Sequence, residues 1–390
     1  MIRLLRNAEV YAPEPRGIQD LVIAGDRIAW IGSDLPALPE QLNVEETDLA
    51  GQRVIPGLVD GHAHLTGGGG EAGPHTRVPP PSLGAFTTAG VTTVVGVLGT
   101  DDVTRSTAEL VATARGLTEL GLTAFCHTGG YHLPPRTLTG SVRGDIALVH
   151  EIIGIGEIAL SDHRSSQPTL DELLRLASEA HVGGLMSGKA GILHLHLGDG
   201  PRGLDLVREA LDSSELPARV FNPTHVNRRS GLFEEALDLA DRGVTIDVTA
   251  FPVVNGEDAV AAGEAVVRYW DTGLPPERIT VSSDGGGCLP TFDPEGRVHG
   301  FDVGSVGALA QTLAGLLAEG HALEQALPPF TANPAALLRL LRKGRIAAGM
   351  DADLVVLDGK GGIDDVMVRG RWHVRGKQLL VSGPFEAGSR

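Results

Sequence analysis

Residues 54–74 read VIPGLVDGHAHLTGGGGEAGP. In this stretch an apolar run ends in two histidines separated by one residue, and four glycines and Glu71 follow. Side chains alternate between the two faces of a β-strand, so His62 and His64 lie on the same face and can reach one ion. Imidazole ligands favour Zn²⁺ or a similar transition metal over Ca²⁺ or Mg²⁺. The stretch therefore predicts a strand that ends at a metal site.

Seven more apolar runs of strand length follow this one. Amphipathic segments with helical spacing separate most of them, including residues 106–121, 169–184 and 231–243. Eight strand-then-helix units in succession predict a (β/α)8 TIM-like barrel. A doubly wound open sheet is the alternative, but no G-x-G-x-x-G segment follows the first strand.

The two ends of the chain have a different pattern. Both contain β-branched residues in alternation, punctuated by Gly, Asp and Pro, which is typical of short β-strands. We therefore predict a small β-sandwich domain formed by both termini, from residues 1–53 and 346–390. The barrel domain is predicted to span residues 54–345.

Composition excludes several classes of partner. The chain has 390 residues and a formal net charge of −17, so we expect it to bind neither nucleic acid nor a membrane surface. No apolar window approaches the length of a transmembrane helix, and the first residues lack the apolar stretch of a signal peptide, so we expect neither feature. Cys126 and Cys288 are the only cysteines, which favours a reducing, cytoplasmic location.

Potential ligands recur where the later runs end. Glu157 lies in the fourth run, His196 ends the fifth, His225 ends the sixth and Asp284 ends the eighth. Barrel strands open on one face at their carboxyl ends, so these residues are expected to converge with the first two histidines. Two ions would need a bridging anion, which Glu157 is placed to supply. His194 faces the same way as His196, and spacing alone does not decide between them.

The order of these residues resembles the amidohydrolase superfamily, which comprises metal-dependent hydrolases built on a (β/α)8 barrel. Within it, the chain is most similar to the isoaspartyl (β-aspartyl) dipeptidase family. The segments that carry this resemblance are GGGGEAGP (67–74), YHLPPRT (131–137), SDHRS (161–165), PTHVNR (223–228) and SSDG (282–285). The resemblance covers nearly the whole chain.

The resemblance implies a binuclear zinc centre. Its ligands would be His62, His64, His196, His225 and Asp284. Family members are expected to carry a carbamylated lysine as the bridge, whereas the matching position here is Glu157. The only lysine before residue 343 is Lys189, in a glycine-flanked loop outside the fourth run. We therefore expect the Glu157 carboxylate to take the place of the carbamate, with a shorter stem.

Substrate contacts are implied in the same way. Glu71 would bind the free α-amino group of an isoaspartyl unit. Gly69 and Thr100 match positions that meet a substrate carboxylate. Arg164 and Arg228 resemble the pair that holds the carboxylate of the departing residue, because a guanidinium binds a carboxylate through two parallel hydrogen bonds.

The implied reaction is hydrolysis of the isoaspartyl bond of a short dipeptide by a metal-bridging hydroxide. Tyr131 would donate a hydrogen bond to the scissile carbonyl, and Asp284 would carry a proton to the leaving amine. Cys288 stands where the family has a substrate-contacting serine, and a thiol is a weaker donor. The resemblance also implies a homo-oligomer.

Two other functions stay open from the sequence. Cyclic-amide hydrolases, such as hydantoinase and dihydroorotase, and N-acyl-amino-acid deacylases share the metals but do not require Glu71 with two arginines. A barrel that only binds a ligand is the other alternative. Asp284 argues against it, because a binding protein has no need of a proton carrier.

Overall fold

The computed structural model describes residues 1–35, 38–254, 256–292 and 297–386. Its strands are β1 (Ile2–Tyr11), β2 (Pro15–Ala24), β3 (Arg27–Gly32), β4 (Val44–Asp48), β5 (Arg53–Pro56), β6 (Leu58–Ala63), β7 (Val91–Gly96), β8 (Thr123–Thr128), β9 (Ile152–Leu160), β10 (Ile192–Leu197), β11 (Phe221–Thr224), β12 (Ile246–Thr249), β13 (Ile279–Ser282), β14 (Cys288–Phe292), β15 (Val298–Val303), β16 (Leu354–Leu357), β17 (Ile363–Val368), β18 (Arg371–Arg375) and β19 (Gln378–Leu379).

Helices follow most of the central strands. They are α1 (Leu83–Thr88), α2 (Thr107–Glu119), α3 (Val142–Leu148), α4 (Leu170–Ser187), α5 (Asp205–Ser213), α6 (Ser230–Asp241), α7 (Ala262–Asp271), α8 (Ala308–Ala318), α9 (Leu323–Ala326) and α10 (Ala332–Leu337). None of the described helices combines the length and apolar character needed to cross a bilayer.

The central strands form the predicted (β/α)8 barrel. Strands β6 to β11 pair in chain order in one parallel sheet, and β12 pairs in parallel with β13. The side-chain amide of Asn222 donates to the carbonyl of Thr245 at 2.8 Å and joins β11 to β12. The ring closes where the backbone N–H of Asp284, just after β13, donates to the carbonyl of His62 at 3.1 Å. The prediction of a barrel is confirmed.

The three amphipathic segments quoted above form α2, α4 and α6. Local capping fixes where two of them begin. Ser106 Oγ accepts a hydrogen bond from the Glu109 N–H at 3.1 Å at the start of α2. Thr169 and Glu172 form a reciprocal capping box at the start of α4. The apolar faces of these helices pack onto the barrel strands in one buried cluster.

Both termini contribute to one nine-stranded sheet, which confirms the predicted terminal β-domain. Its order is β19-β18-β17-β16-β5-β1-β2-β3, with β4 paired to β1. Val54 and Val356 point into the apolar cluster of this domain. Their neighbours Ile55 and Val355 point the other way, into the core of the barrel. Strand alternation thus attaches the terminal sheet to the barrel.

The first apolar run is divided between the two parts of the molecule. β5 belongs to the terminal sheet and β6 to the barrel, and Gly57 lies between them. A side chain at Gly57 would lie 2.1 Å from Thr92 Oγ1, so only glycine fits at this crossing. Its N–H donates to the carbonyl of Asp353 at 2.9 Å. The predicted boundaries after residues 53 and 345 stay predictions.

Candidate active site

The residues predicted to form the site converge at the carboxyl ends of the barrel strands. Except for His62, all of them line one cavity: Gly69, Glu71, His64, Thr100, Tyr131, Glu157, Arg164, His196, His225, Arg228, Asp284 and Cys288. Two sets of three have potential ligand atoms within 4.8 Å of one another, namely His62, His64 and Asp284, and His62, Glu157 and His225. All five of these side chains are buried.

Two of these side chains follow their strands in an unusual backbone conformation. His225 has a φ of 60° directly after β11, and Asp284 has a φ of 51° shortly after β13. Residues with side chains rarely adopt this left-handed conformation, and strained positions of this kind cluster at functional sites. The turns at these two positions place the side chains of His225 and Asp284 at the cavity.

Glu157 faces a different pair of histidines with each of its oxygens. Oε1 lies 3.6 Å from His62 Nε2 and 3.5 Å from His64 Nε2. Oε2 lies 3.1 Å from His196 Nδ1 and 3.4 Å from His225 Nε2. Burial would raise the pKa of the Glu157 carboxyl, but the charge of His62 and hydrogen bonds from the other pair hold it well below its usual range. The group is therefore an anion placed between two sets of nitrogen ligands.

The residues present fit a divalent cation. Nε2 of His62 and Oδ1 of Asp284 lie 3.4 Å apart, yet neither has a well-formed hydrogen bond to a described residue. Buried polar atoms are normally satisfied, and a cation would satisfy both of these. Burial would lower the pKa of His62, but Glu157 and Asp284 raise it to about 9. The pocket thus attracts positive charge, which a metal ion would supply.

The structure distinguishes His194 from His196. Nε2 of His194 lies 2.8 Å from Nδ1 of His62, and its Nδ1 lies 2.7 Å from Oδ1 of Asn222. His194 therefore lies behind His62, whereas His196 lines the cavity. His196 directs Nε2 to Oδ2 of Asp162 at 3.1 Å and is in neither set of three ligands, so its role as a ligand stays a prediction.

The glycine run and Glu71 form one side of the cavity. Oε1 of Glu71 accepts a hydrogen bond from Thr100 Oγ1 at 3.2 Å and lies 3.4 Å from Arg164 Nη1. Gly69 has a φ of 74°, and a side chain there would approach the side chain of Cys288 at 3.3 Å. The loop can therefore approach a small ligand closely because position 69 is glycine.

The two predicted arginines lie on the same cavity. Arg164 binds Asp162 through two hydrogen bonds, Nε to Oδ1 at 3.0 Å and Nη2 to Oδ2 at 2.7 Å. The guanidinium carbon also lies 5.4 Å from the centre of the Tyr131 ring. Arg228 Nε lies 3.8 Å from Oδ1 of the exposed Asp199. Asp162 was missed from the sequence, although it lies in the motif SDHRS, two residues before the arginine that it orients.

Tyr131 is available as a hydrogen-bond donor. Its hydroxyl lies 2.8 Å from Nδ1 of His196. Burial raises its pKa well above the usual value, so the phenol keeps its proton. The hydroxyl is thus placed at the wall of the cavity, beside the histidine that also contacts Glu157.

Lys189 lies outside the cavity. Its ammonium donates to the carbonyl groups of Ile146 at 2.7 Å and Ile152 at 2.9 Å, and also to that of Val149, which fixes the end of α3. No lysine is among the described residues that line the cavity. The position between the two histidine pairs belongs to Glu157.

Comparisons with known proteins agree with this geometry. The model of the amidohydrolase family matches residues 53–373. A crystal structure of β-aspartyl dipeptidase from Fervidobacterium islandicum AW-1 in complex with a β-Asp-Leu dipeptide is 41% identical, with 97% of each chain covered and a TM-score of 0.92.

Two curated relatives are more distant. Dihydroorotase from Halobacterium salinarum is 25% identical, over 87% of this chain and 84% of its own. Imidazolonepropionase from Paenarthrobacter aurescens is 32% identical over 154 residues, and the match spans only 36% of its length. The family expected from the motifs is confirmed. The chain belongs to the amidohydrolase family, whose members are metal-dependent hydrolases, and within it to the β-aspartyl dipeptidases.

Proposed function

We propose that this protein hydrolyses the isoaspartyl bond of short dipeptides in a metal-dependent reaction. The observation that carries the proposal is that Glu71, Arg164 and Arg228 line the same cavity as the predicted metal ligands. The cavity that these side chains line is small. One acidic and two basic groups in so small a space would select a short substrate with charges of both signs. The bound dipeptide in the 41% identical relative supports this choice.

Each charged group of the substrate would bind a different residue of the cavity. Glu71 would bind the α-ammonium group, while the N–H of Gly69 and the hydroxyl of Thr100 would bind the α-carboxylate. Arg164 and Arg228 would hold the carboxylate of the departing residue. Glu71 and Arg164, which lie 3.4 Å apart, would exchange their mutual contact for contacts to the substrate.

We infer that the site holds two zinc ions. Their ligands would be His62, His64, Glu157, His196, His225 and Asp284. This mixture of imidazole and carboxylate groups is the donor set that zinc prefers. When bound, the metals would lower the pKa of a water molecule in the site and polarise the scissile carbonyl.

The side chains around this centre would stabilise the negative charge on the scissile oxygen and transfer the proton of the attacking water. Tyr131 would turn its hydroxyl from His196 to the scissile oxygen and donate a hydrogen bond as negative charge develops there. Asp284 is ionised in the site, because the neighbouring imidazoles of His62 and His64 overcome the effect of burial and hold its pKa well below the usual range. Its carboxylate would accept a proton from the attacking water and pass it to the leaving nitrogen. Cys288 would contact the substrate as a weak donor.

A cyclic-amide hydrolase is the second candidate, which the 25% identical dihydroorotase supports. Dihydroorotate and hydantoins have no ammonium group for Glu71, so the charges of the cavity favour the dipeptide. The decisive experiment compares zinc-loaded protein on β-Asp-Leu, α-Asp-Leu, dihydroorotate, a hydantoin and an N-acetyl amino acid. We expect turnover of β-Asp-Leu alone. Turnover of another substrate alone would replace the proposal, and no turnover by metal-loaded protein would favour the binding barrel.

Three further properties are part of the proposal. We infer a homo-oligomer from the family, a cytoplasmic location from the scarcity of cysteine, and domain boundaries after residues 53 and 345. Light scattering of the purified protein tests the first of these, since a mass near the 40.7 kDa of one chain would contradict it.

A further inference from the structure

Arg105 is the largest of the fully buried side chains among the described residues, with 1% of its surface exposed. It lies two residues before α2, directly beneath the glycine run. Its Nε donates to the carbonyl of Thr66 at 3.2 Å, Nη2 to that of Gly68 at 2.8 Å and Nη1 to that of Gly69 at 3.2 Å. Nη1 also lies 3.1 Å from Oδ2 of Asp101.

A buried guanidinium is costly unless its partners compensate for the lost water. Here one carboxylate, on Asp101, faces it, and its other partners are neutral backbone carbonyls. The glycine run has no side chains of its own to hold a shape, and glycine has the widest choice of backbone conformations. Gly68 also donates to the carbonyl of Gly286 at 2.8 Å and accepts from the N–H of Val78 at 2.9 Å. Arg105 adds the side-chain contacts that the run itself lacks.

The orientation of the carbonyls decides where the loop presents its N–H groups. In a trans peptide the C=O and N–H of one unit point in opposite directions. Because the carbonyl of Gly68 points to Arg105, the N–H of Gly69 points away from it, and Gly69 lines the cavity. Asp101, the anionic partner of Arg105, directly follows Thr100 in the chain. Arg105 therefore contacts both the glycine run and the segment that follows Thr100, which lie on either side of the pocket beside Glu71.

We propose that Arg105 is a positioning residue that shapes the pocket for the substrate's α-carboxylate by fixing the glycine run against the segment of Thr100. The inference rests on the proposed function, because the α-carboxylate is a feature of the isoaspartyl unit. Arg105 makes no contact with the substrate in this scheme. Its effect is on how well Gly69 and Thr100 meet that group.

The test compares β-Asp-Leu with β-Ala-Leu, which is the same dipeptide without the α-carboxylate. Arg105→Met removes the charge, and Arg105→Lys keeps it but offers three donors from one point instead of a planar fork. The wild-type protein should prefer β-Asp-Leu in kcat/KM. We expect this preference to fall by about 100-fold in Arg105→Met and about 10-fold in Arg105→Lys, through a higher KM for β-Asp-Leu. Metal content should stay at the wild-type level in both.

Arg77→Met is the matched control. The Arg77 side chain is 38% exposed and lies 3.8 Å from the same Asp101 carboxylate, so its loss changes the local charge without releasing the loop. A merely structural role for Arg105 would lower the rates with both substrates equally, and that result would overturn the inference. Loss of folding in both Arg105 variants would assign the residue to stability alone and would also overturn it. Failure of wild-type protein to cleave β-Asp-Leu would instead refute the proposed function.

Discussion

Glu157 and His225 meet in the interior of the barrel, where Oε2 of the carboxylate lies 3.4 Å from Nε2 of the imidazole. The opposite oxygen of the same carboxylate faces His64 at 3.5 Å. A carboxylate can thus contact two cations at the place where other members of the family are expected to use a modified lysine. A bridge formed by Glu157 would need no carbon dioxide, unlike a carbamylated lysine.

The first prediction concerns this bridge. Glu157→Gln replaces one anionic oxygen by an amide that donates hydrogen bonds, so we expect fewer than two metals per chain and a kcat/KM lower by about 100-fold or more. Glu151→Gln is the control, because Glu151 pairs with Arg115 away from the cavity. Elemental analysis and the dipeptide assay measure the two effects. Full metal loading with full activity in Glu157→Gln would exclude the bridge.

The second prediction concerns the amine contact. Glu71→Gln removes the charge that would meet the α-ammonium group, so kcat/KM for β-Asp-Leu should fall by about 100-fold while the metals stay bound. The loss should appear mainly in KM. Glu234→Gln, on the exposed face of α6, is the control. Normal cleavage of β-Asp-Leu by Glu71→Gln would show that another residue holds the amine.

The third prediction concerns the phenol. Tyr131→Phe keeps the ring and removes only the donor, so we expect kcat to fall by about 100-fold with KM nearly unchanged, or about 3 kcal/mol in the barrier. Metal content must be measured in parallel, because the hydroxyl lies 2.8 Å from His196 Nδ1. An unchanged kcat would remove Tyr131 from the stabilisation of the scissile oxygen.

The fourth prediction concerns removal of the metals. Dialysis against a chelator should abolish dipeptide cleavage, and added Zn²⁺ should restore it. The metal-free protein should also unfold at a lower temperature, because an ion that binds only the folded chain stabilises it. Mass spectrometry must verify the loss of metal. Activity that persists in metal-free protein would contradict the proposed chemistry.

The fifth prediction concerns stability in acid. His373 is buried in β18, and neither of its ring nitrogens has a hydrogen-bond partner among the described residues. Burial lowers its pKa to about 4, whereas an unfolded chain has a histidine pKa of about 6.5. The unfolded state therefore binds a proton first, and stability is lost as the pH falls from 6.5 towards 4.

For His373 we expect a loss of about 1 kcal/mol in the free energy of unfolding between pH 7 and pH 5, allowing for screening by solvent. Urea unfolding at the two pH values measures it. His373→Leu should show a smaller loss over the same interval, since leucine does not titrate. An equal loss in the variant would assign the acid sensitivity to other groups.

Much of the fold and of the site follows from local sequence patterns. Residues such as His225 and Asp284 stand at the ends of apolar runs. A barrel brings all strand ends to one face, so residues far apart along the chain are expected to lie close together. The amphipathic segments also predict their helices, because local apolar spacing and capping residues such as Thr169 determine them.

The remainder depends on contacts between distant parts of the chain. His194 and His196 share one face of β10, and only the packing of neighbouring strands places the first behind His62 and the second at the cavity. Arg105 reads in the sequence as an ordinary residue before a helix, because its partner Gly68 lies 37 positions away. The crossing at Gly57 is hidden in the same way, since a single apolar run covers both strands.

The chain passes at Gly57 from the terminal sheet into the barrel, so the two parts of the molecule share one continuous segment. β5 lies between β1 from the beginning of the chain and β16 from near its end, and it continues directly into β6. Removal of the N-terminal or the C-terminal segment would leave one edge of β5 without a strand partner. β5 ends only one residue before β6, the strand that contains His62. We therefore expect that removal of either terminal segment by proteolysis would disturb the predicted metal site, because β5 is paired with both segments and leads into β6.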